Sequence, residues 1–405
     1  MVRNRREPHD GDKARLWPLL AVNFFMADMQ SGIGPFLSVF LIERGWTSGL
    51  IGTALSIGNV AGMLITTPVG GFIDASHHKR AWVIVPGVAV VLASSIILLW
   101  QNFWAVAASQ IATSIASAAI VPAVTGITLG MVGQKGFNRQ NGRNQAFNHA
   151  GNMIGAAASG FLGWKLGYFW VFALAALFGA ITVACVLLIR PESINDHAAR
   201  GNKEDDFKSQ PGALTVLLRH KALLVLGLAL ALFHLGNAAI IPIFGMSAVS
   251  GGKANGPGFV ATTVVIAQGV MVIASLVAMQ VAEKRNYWLI LLVSFLVLPL
   301  RGVIAFFLSG WSGVVPVEIL DGIGTGLQSV AVPGMVARSL YGTGRVNLAQ
   351  GAVITVQGIG AAVSPALGGW VAHWIGYAPT FLVLGGLGLI AAGVWVLLGA
   401  AVKEY

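Results

Sequence analysis

Long runs of apolar residues without any charge are the feature that most limits what this chain can fold into. Residues 82–100 carry no charged side chain and are apolar on every face. Such a segment has no polar side to turn toward water, and within lipid only a helix satisfies all of its own backbone hydrogen bonds. Transmembrane strands would instead alternate apolar and polar residues over about ten positions. The run therefore predicts a transmembrane α-helix.

The overall composition indicates that most of the chain lies in lipid. Of its 405 residues, 56% belong to the hydrophobic set and only 10% are charged, whereas soluble domains carry about a quarter charged residues. Its 52 glycines fit this class, because transmembrane helices use Gly to pack closely. The single cysteine, Cys185, excludes an intrachain disulfide and a cysteine-based metal cluster. We therefore expect an all-α membrane protein.

Hydropathy predicts twelve transmembrane helices. Twelve helices of about 20 residues would occupy roughly 240 positions and leave the remainder for short loops. The predicted spans are 16–41, 48–72, 82–100, 104–132, 146–164, 168–189, 221–246, 259–281, 287–308, 313–337, 350–373 and 378–401.

The positions of Lys and Arg predict which side of the membrane each loop occupies. The two terminal segments and the even-numbered connections hold 21 of the 25 basic residues, while the opposite loops hold only Arg44, Lys165 and Lys253. By the positive-inside rule, both termini are then cytoplasmic. The net charge of +10 is thus explained by topology, and we expect no nucleic-acid partner. The expected protein is a multi-pass monomer of the cytoplasmic (inner) membrane.

The chain divides into two pseudo-symmetric halves. Residues 191–213 form its only long hydrophilic stretch, which we interpret as a cytoplasmic linker. It separates a six-helix bundle over 16–190 from a second over 214–405, and a cytoplasmic tail covers 1–15. Internal duplication is typical of secondary transporters, which rock two halves about a central site. Three features recur 206 to 211 residues apart: Pro35 with Pro242, Val121-Pro122 with Val332-Pro333, and Arg139-x-Asn141 with Arg345-x-Asn347.

The loop after the second span carries a motif. It reads GGFIDASHHKR, in which Gly70, Asp74, Lys79 and Arg80 match the pattern Gly-x-x-x-Asp-(Arg/Lys)-x-Gly-x-(Arg/Lys)-(Arg/Lys), while two other positions depart from it. With this motif and its twelve predicted spans, the chain resembles the major facilitator superfamily. The resemblance implies a transporter whose gating loop includes these residues, with Asp74 meeting a neighbouring helix end. An acid near a helix amino terminus beside two cations is a switchable electrostatic contact. The alternative is that these charges only set the topology.

Two departures bear on the class of substrate. Drug/proton antiporters of this superfamily usually carry an Arg twelve residues before a Pro in the fourth span, where this chain has Gln110 before Pro122. They also carry a Gly-Pro pair in the fifth span, where this chain has Gly155 followed by Ala156. Both departures weaken the resemblance to drug antiporters.

We single out five ionisable residues inside predicted spans: Asp28, His234, Arg301, Glu318 and Asp321. Each costs roughly 3 kcal/mol on insertion scales unless it is paired or hydrated, so each is a functional candidate. With a rise of about 1.5 Å per residue, Arg301 lies roughly 12 Å from the outer surface, and Glu318 and Asp321 about 9 and 13 Å. These matching depths predict that Arg301 neutralises one acid and leaves the other able to exchange a proton. A permanent structural ion pair is the alternative.

The first and seventh spans supply the other candidate residues. Asp28 and Gln30 lie near the middle of the first span, in a stretch too polar and glycine-rich to face lipid. His234 and Asn237 lie at a similar depth in the seventh span, which the resemblance makes equivalent to the first. We expect Asp28 and His234 to face each other across a cavity, as a proton or cation acceptor and as a titrating or hydrogen-bonding group. The alternatives are a capped structural acid and a packing histidine.

These features predict a secondary active transporter and not an enzyme. The sequence has no Gly-rich ATP-binding loop and no histidine motif for a metal, so we expect no cofactor and no metal site. The expected partners are a small-molecule substrate, protons and the lipid bilayer. Proton-coupled export is the first hypothesis, because titratable acids occur in both halves. The other hypotheses are uptake or exchange of an organic anion anchored by Arg301, and a non-transporting membrane sensor.

Overall fold

The computed structural model describes residues 16–31, 33–195, 220–284, 286–340 and 346–398. The predicted tail, most of the predicted linker and the side chains of Asp28, Gln30 and Asp74 lie outside this described part. Within it, the chain is helical almost throughout. Its α-helices are α1 (Trp17–Ser31), α2 (Gly34–Ile42), α3 (Ser48–Ala75), α4 (Ala81–Leu99), α5 (Phe103–Leu166), α6 (Tyr168–Leu188), α7 (Lys221–Asn237), α8 (Ile240–Ser250), α9 (Gly256–Lys284), α10 (Tyr287–Phe307), α11 (Trp311–Ser339), α12 (Val346–Ile375) and α13 (Tyr377–Leu398).

Two helix breaks lie at equivalent positions in the two halves. α2 begins just before Pro35, and α7 and α8 are separated at Ala238 and Ala239, shortly before Pro242. Proline lacks a backbone N–H and clashes with the preceding turn, so a helix tends to end ahead of it. At the second break, the N–H of Ala239 donates to Oγ of Ser364 (2.9 Å), which satisfies the freed backbone group inside the protein. The recurrence of proline in the sequence thus corresponds to a repeated structural feature.

Nine of the described helical segments are long and apolar enough to cross a membrane. They coincide with nine of the predicted spans. The other three predicted spans, 16–41, 146–164 and 313–337, are mainly helical but contain a break or several polar residues. The total of twelve spans therefore stays a prediction.

The connection predicted at 133–145, between the fourth and fifth predicted spans, is helical in the structure. α5 continues through these residues, and its helical path is broken only at Gly133, which adopts a φ of 64° that glycine tolerates. The polar residues that suggest a loop satisfy one another on the helix. Nε2 of Gln140 donates to Oδ1 of Asn144 (2.9 Å), and Nδ2 of Asn144 donates to Oγ1 of Thr128 (2.9 Å). Because these bonds bury the polar groups, the helix does not need to end there.

Two groups of helices pack mainly among themselves. The first group is α1 to α6 and the second is α7 to α13. Between the groups, α3 packs along α12, α5 along α9, and α2 against α8. Phe40 of α2 and Phe244 of α8 belong to one buried apolar cluster, so part of the hydrophobic core is shared by both groups.

The two groups meet tightly at one end of the seam between α3 and α12, called the closed end. At the closed end, a Cβ on Gly52 would clash with the carbonyl oxygen of Pro365, and one on Gly369 with the carbonyl oxygen of Ser48. The seam between α3 and α12 is therefore sealed at the end whose loops are predicted to lie outside.

Candidate transport site

A cavity of 440 Å³ lies between the two groups of helices, next to the closed-end seam. Both helix breaks contribute to its wall, through Pro35 in the first group and Pro242 in the second. Irregular backbone is tolerated inside a membrane where it is buried in protein or lines a cavity. Small-molecule sites commonly enclose about 300–1,000 Å³. This cavity therefore has the position and size of a solute site.

One wall of the cavity is polar and belongs to the first group of helices. Gln110, Thr113, Ser114 and Ser117 follow one another at i, i+3, i+4 and i+7, so they form one stripe along α5. Asn59 of α3 adds a second amide to this wall. The sequence analysis singled out only Gln110, although the helical spacing of polar residues inside a predicted span is a signal that identifies the whole stripe.

A buried ion cluster lies inside the second group. Arg301 donates from Nη1 to Oδ1 of Asp321 (2.7 Å) and to Oδ1 of Asn237 (2.8 Å), and from Nε to the carbonyl oxygen of Val317 (3.2 Å). Its Nη2 lies 3.5 Å from Oε2 of Glu318, within the range of an ion pair. Arg301 and Glu318 are 0% exposed, and Asp321 is 8% exposed. The structure thus places Arg301 beside both acids, as the depth argument predicts.

The two carboxyl groups of the cluster are held differently. Oδ1 of Asp321 accepts hydrogen bonds from Arg301 and, at 3.2 Å, from Nδ2 of Asn237. Within the described part, neither side-chain oxygen of Glu318 has a hydrogen-bond partner. Two ionised acids on one guanidinium would leave an excess negative charge, which is costly in a buried site.

His234 lies beside the ion cluster and is not among the residues that line the cavity. Its ring packs edge-on against Phe233, with 5.2 Å between the ring centroids. Its Nε2 is buried and has no hydrogen-bond partner among the described residues. The predicted contact with Asp28, and the predicted role of Gln30, stay predictions because both side chains lie outside the described part.

The cations of the motif loop hold helix ends within the first group. Nζ of Lys79 donates to the carbonyl oxygen of Ile73 (3.0 Å) at the end of α3. Nε and Nη2 of Arg80 donate to the carbonyl oxygens of Val186 (3.1 Å) and Leu187 (3.0 Å) at the end of α6. Cations at helix carboxyl ends satisfy orphan carbonyls and complement the helix dipole. The gating role of the acid in this loop stays a prediction.

His149 of α5 contacts the second group of helices, and the sequence analysis missed it. Its Nδ1 lies 2.9 Å from Oε1 of Gln268 on α9. The neighbouring Asn148 donates to the carbonyl oxygen of Asn23 on α1 (3.3 Å), so polar contacts continue from this point into the first group. His149 falls inside the predicted span 146–164, and the rule that flags ionisable residues within spans applies to it as well.

Two groups of helices that enclose a polar cavity between paired helix breaks define the architecture of a secondary transporter. Residues 19–340 match the model of the Major Facilitator Superfamily, and the chain belongs to this family. It is therefore an integral, multi-pass membrane transporter and not an enzyme.

Similar proteins extend over nearly the whole chain. Two proteins, from two strains of Mycobacterium tuberculosis, are 36% identical over 372 residues, which cover 90% of this chain and 88% of each relative. Both bear the description "uncharacterized MFS-type transporter".

Solved structures share the fold at low sequence identity. A crystal structure of a point mutant of the nucleoside transporter NupG superposes with a TM-score of 0.80 at 14% identity, covering 95% of this chain and 99% of that one. A bacterial homolog of the human lysosomal transporter Spinster, in an inward-facing and unoccupied conformation, gives 0.74 at 12% identity, covering 98% and 99%.

Proposed function

We propose that this chain is a proton-coupled secondary transporter that exports a small solute by alternating access. The observation that carries this proposal is the buried guanidinium of Arg301, which is shared by the carboxyl groups of Glu318 and Asp321. A carboxyl group that gains and loses a proton as the cavity alternates is the simplest device for coupling.

The charge balance of the cluster favours one bound proton. Arg301 neutralises one acid, and the 2.7 Å contact favours Asp321 for that position. A second ionised carboxylate would then be a buried charge without full compensation, which costs several kcal/mol. We assign this proton to Glu318, because it is fully buried and its contact with Arg301, at 3.5 Å, is longer than the 2.7 Å contact of Asp321.

The helix break in the second half connects the cluster to the cavity. Asn237 accepts a hydrogen bond from Arg301 and donates one to Asp321. The next residue, Ala238, lines the cavity. A solute that enters the cavity therefore presses on the backbone beside Asn237, and a change in the charge of Asp321 or Glu318 acts back on the same break. This gives solute and proton a common element through which they influence each other.

The charge distribution supports twelve spans with both termini in the cytoplasm, so the closed end faces outward. In this orientation the conformation is inward-open, and the solute enters the cavity from the cytoplasm. Export follows when the two groups rock, the solute leaves at the outer side, and a proton enters in its place.

The geometry does not favour Arg301 as an anchor for an organic anion. A substrate carboxylate binds best to two free N–H donors of a guanidinium. Nε and Nη1 of Arg301 already donate to protein groups, and Nη2 faces Glu318. Arg301 is also not among the residues that line the cavity.

Proton coupling is tested with purified protein in liposomes that contain a pH-sensitive dye. Addition of a transported solute is expected to change the internal pH for the native protein, and Glu318→Gln is expected to abolish this change while solute exchange continues. Glu192→Gln, an exposed acid in a turn after α6, is the matched control and is expected to behave as the native protein. A pH change that persists in Glu318→Gln, or solute flux without a pH change in the native protein, contradicts the proposal.

A further inference from the structure

We infer that the solute is uncharged, with hydrogen-bonding groups on one side and an apolar surface on the other. The inference rests on the proposed transport function, since it names the class of solute for the same cavity. A nucleoside or a methyl glycoside has this pair of faces.

The first observation is the stripe of Gln110, Thr113, Ser114 and Ser117 on α5. These side chains are amides and hydroxyls, so together they offer both donors and acceptors without charge. A membrane helix has no reason to gather polar side chains on one face unless that face meets protein, water or a ligand. Here the stripe contributes to the cavity wall.

Close packing of α3 on α5 brings a further amide to the same wall. A Cβ on Gly58 would lie 2.8 Å from Cβ of Gln110, and one on Gly62 would lie 3.0 Å from Cβ of Ser114. The two glycines therefore let the helices approach until Asn59 lies beside the stripe. The polar wall is thus built by two helices of the first half.

The hydroxyl of Thr113 is the strongest single argument for a hydrogen-bonding solute. Thr113 is 8% exposed, lines the cavity, and its Oγ1 is buried without a hydrogen-bond partner among the described residues. Most threonines on these helices donate to the carbonyl oxygen four residues earlier, as Thr125 does to Val121 (2.8 Å). A buried hydroxyl without a partner costs about 1–3 kcal/mol. A solute that supplies the missing hydrogen bond removes that cost.

The opposite wall excludes a strongly polar or charged solute surface. Ala238, Ile241, Pro242 and Pro365 contribute to it from the second half. Within the described part, no charged side chain lines the cavity. A charge placed against this wall would lose water without gaining a partner, whereas an apolar face would gain from its burial.

The inference is tested by ligand binding at a fixed pH, without a membrane gradient. Thermal-shift titrations of the purified full-length protein use uridine, adenosine and methyl glucoside as neutral probes, and citrate and tetraphenylphosphonium as charged probes. At least one neutral probe is expected to give the largest shift. Thr113→Val, which removes the hydroxyl at nearly constant volume, is expected to weaken its dissociation constant about five-fold. Gln110→Leu is expected to weaken it at least as much.

The control is Thr125→Val, on the same helix but with an exposed side chain that bonds within its own turn. It is expected to leave the dissociation constant unchanged, and melting temperatures without ligand identify any variant that fails to fold. The inference is overturned if citrate or tetraphenylphosphonium binds best, if no neutral probe binds, or if a neutral probe binds equally well to both cavity variants.

Failure of this inference is distinguishable from failure of the proposed function. Neutral binding that depends on Thr113, together with solute flux that moves no proton, removes proton coupling and keeps the solute class. Proton-coupled flux of citrate or tetraphenylphosphonium removes the uncharged solute class and keeps proton coupling.

Discussion

Arg301 of α10 donates to Asp321 of α11 across 2.7 Å, entirely within the second group of helices. The ion cluster therefore does not bridge the two groups that move against each other. The polar stripe of the cavity belongs to the first group, on α5. Under the proposed function, proton binding and solute recognition are divided between the two halves. Asn237 of the ion cluster directly precedes Ala238, which lines the cavity.

Removing the cation of the cluster is expected to destabilise the protein strongly. Arg301→Gln leaves two buried acids without their guanidinium, and breaking a buried ion pair from one side costs about 3–5 kcal/mol. Thermal unfolding in detergent measures the loss. The double variant Arg301→Gln with Asp321→Asn is expected to recover part of it, because the charge imbalance is smaller. Equal melting temperatures for Arg301→Gln and the native protein would contradict the buried cluster.

The two acids are expected to differ when each is replaced by its amide. Asp321→Asn keeps one oxygen that can accept a hydrogen bond but removes the negative charge paired with the buried Arg301 at 2.7 Å, so it is expected to cost about 3–5 kcal/mol of stability. Glu318→Gln removes a group whose oxygens have no hydrogen-bond partner in the described part, so its effect on stability is expected to be smaller. The difference between their melting temperatures checks the assignment. A larger loss of stability for Glu318→Gln than for Asp321→Asn would contradict the assignment of the paired acid to Asp321.

A single methyl group at Gly52 is expected to prevent closure of the seam between α3 and α12. The Cβ of Gly52→Ala would meet the carbonyl oxygen of Pro365, and backbone cannot move aside as a flexible side chain does. The variant is expected to fold. It is expected to favour the other conformation, in which α3 and α12 are apart at this end, and to lose most solute flux. Labelling of Asn59→Cys in a Cys185→Ser background reports which side of the membrane reaches the cavity.

The matched control for this prediction is Gly393→Ala, on α13. No described atom outside its own turn lies within 4 Å of its Cβ position. It is expected to leave both flux and labelling unchanged. If Gly52→Ala shows the same labelling and the same flux as the native protein, the prediction is wrong, and α3 and α12 do not need to approach this closely for transport.

Loss of one hydroxyl at the closed-end seam is expected to shift the conformational equilibrium modestly. Oγ of Ser56 accepts from the backbone N–H of Ala366 (2.9 Å) and donates to the carbonyl oxygen of Val363 (3.4 Å). Hydrogen bonds of this kind are worth about 0.6–1 kcal/mol in membranes, so Ser56→Ala is expected to change the ratio of the two conformations about three- to five-fold. Distances between spin labels on α3 and α12 measure that ratio, and an unchanged distribution would contradict the expectation.

The success of the sequence analysis differs between the two sites for a physical reason. Arg301, Glu318 and Asp321 are predicted to meet because depth in the membrane depends only on position along a helix and on charge, and both are written in the sequence. The stripe at Gln110 and Thr113 depends on the direction in which α5 faces. Weakly polar residues occur both where two membrane helices pack together and where a helix lines a cavity. Hydropathy alone does not distinguish these two positions.

Sequence alone was enough to predict the membrane class, the helical structure, the proline-marked repeat and the meeting of Arg301 with Glu318 and Asp321. Each of these follows from the free energy of placing one residue or one segment in lipid. The three-dimensional structure was needed to show that residues 133–145 are helical, that His149 contacts Gln268, and that Lys79 and Arg80 hold helix ends. These features depend on the rotation and close approach of helices, which are set by packing among residues far apart in the chain.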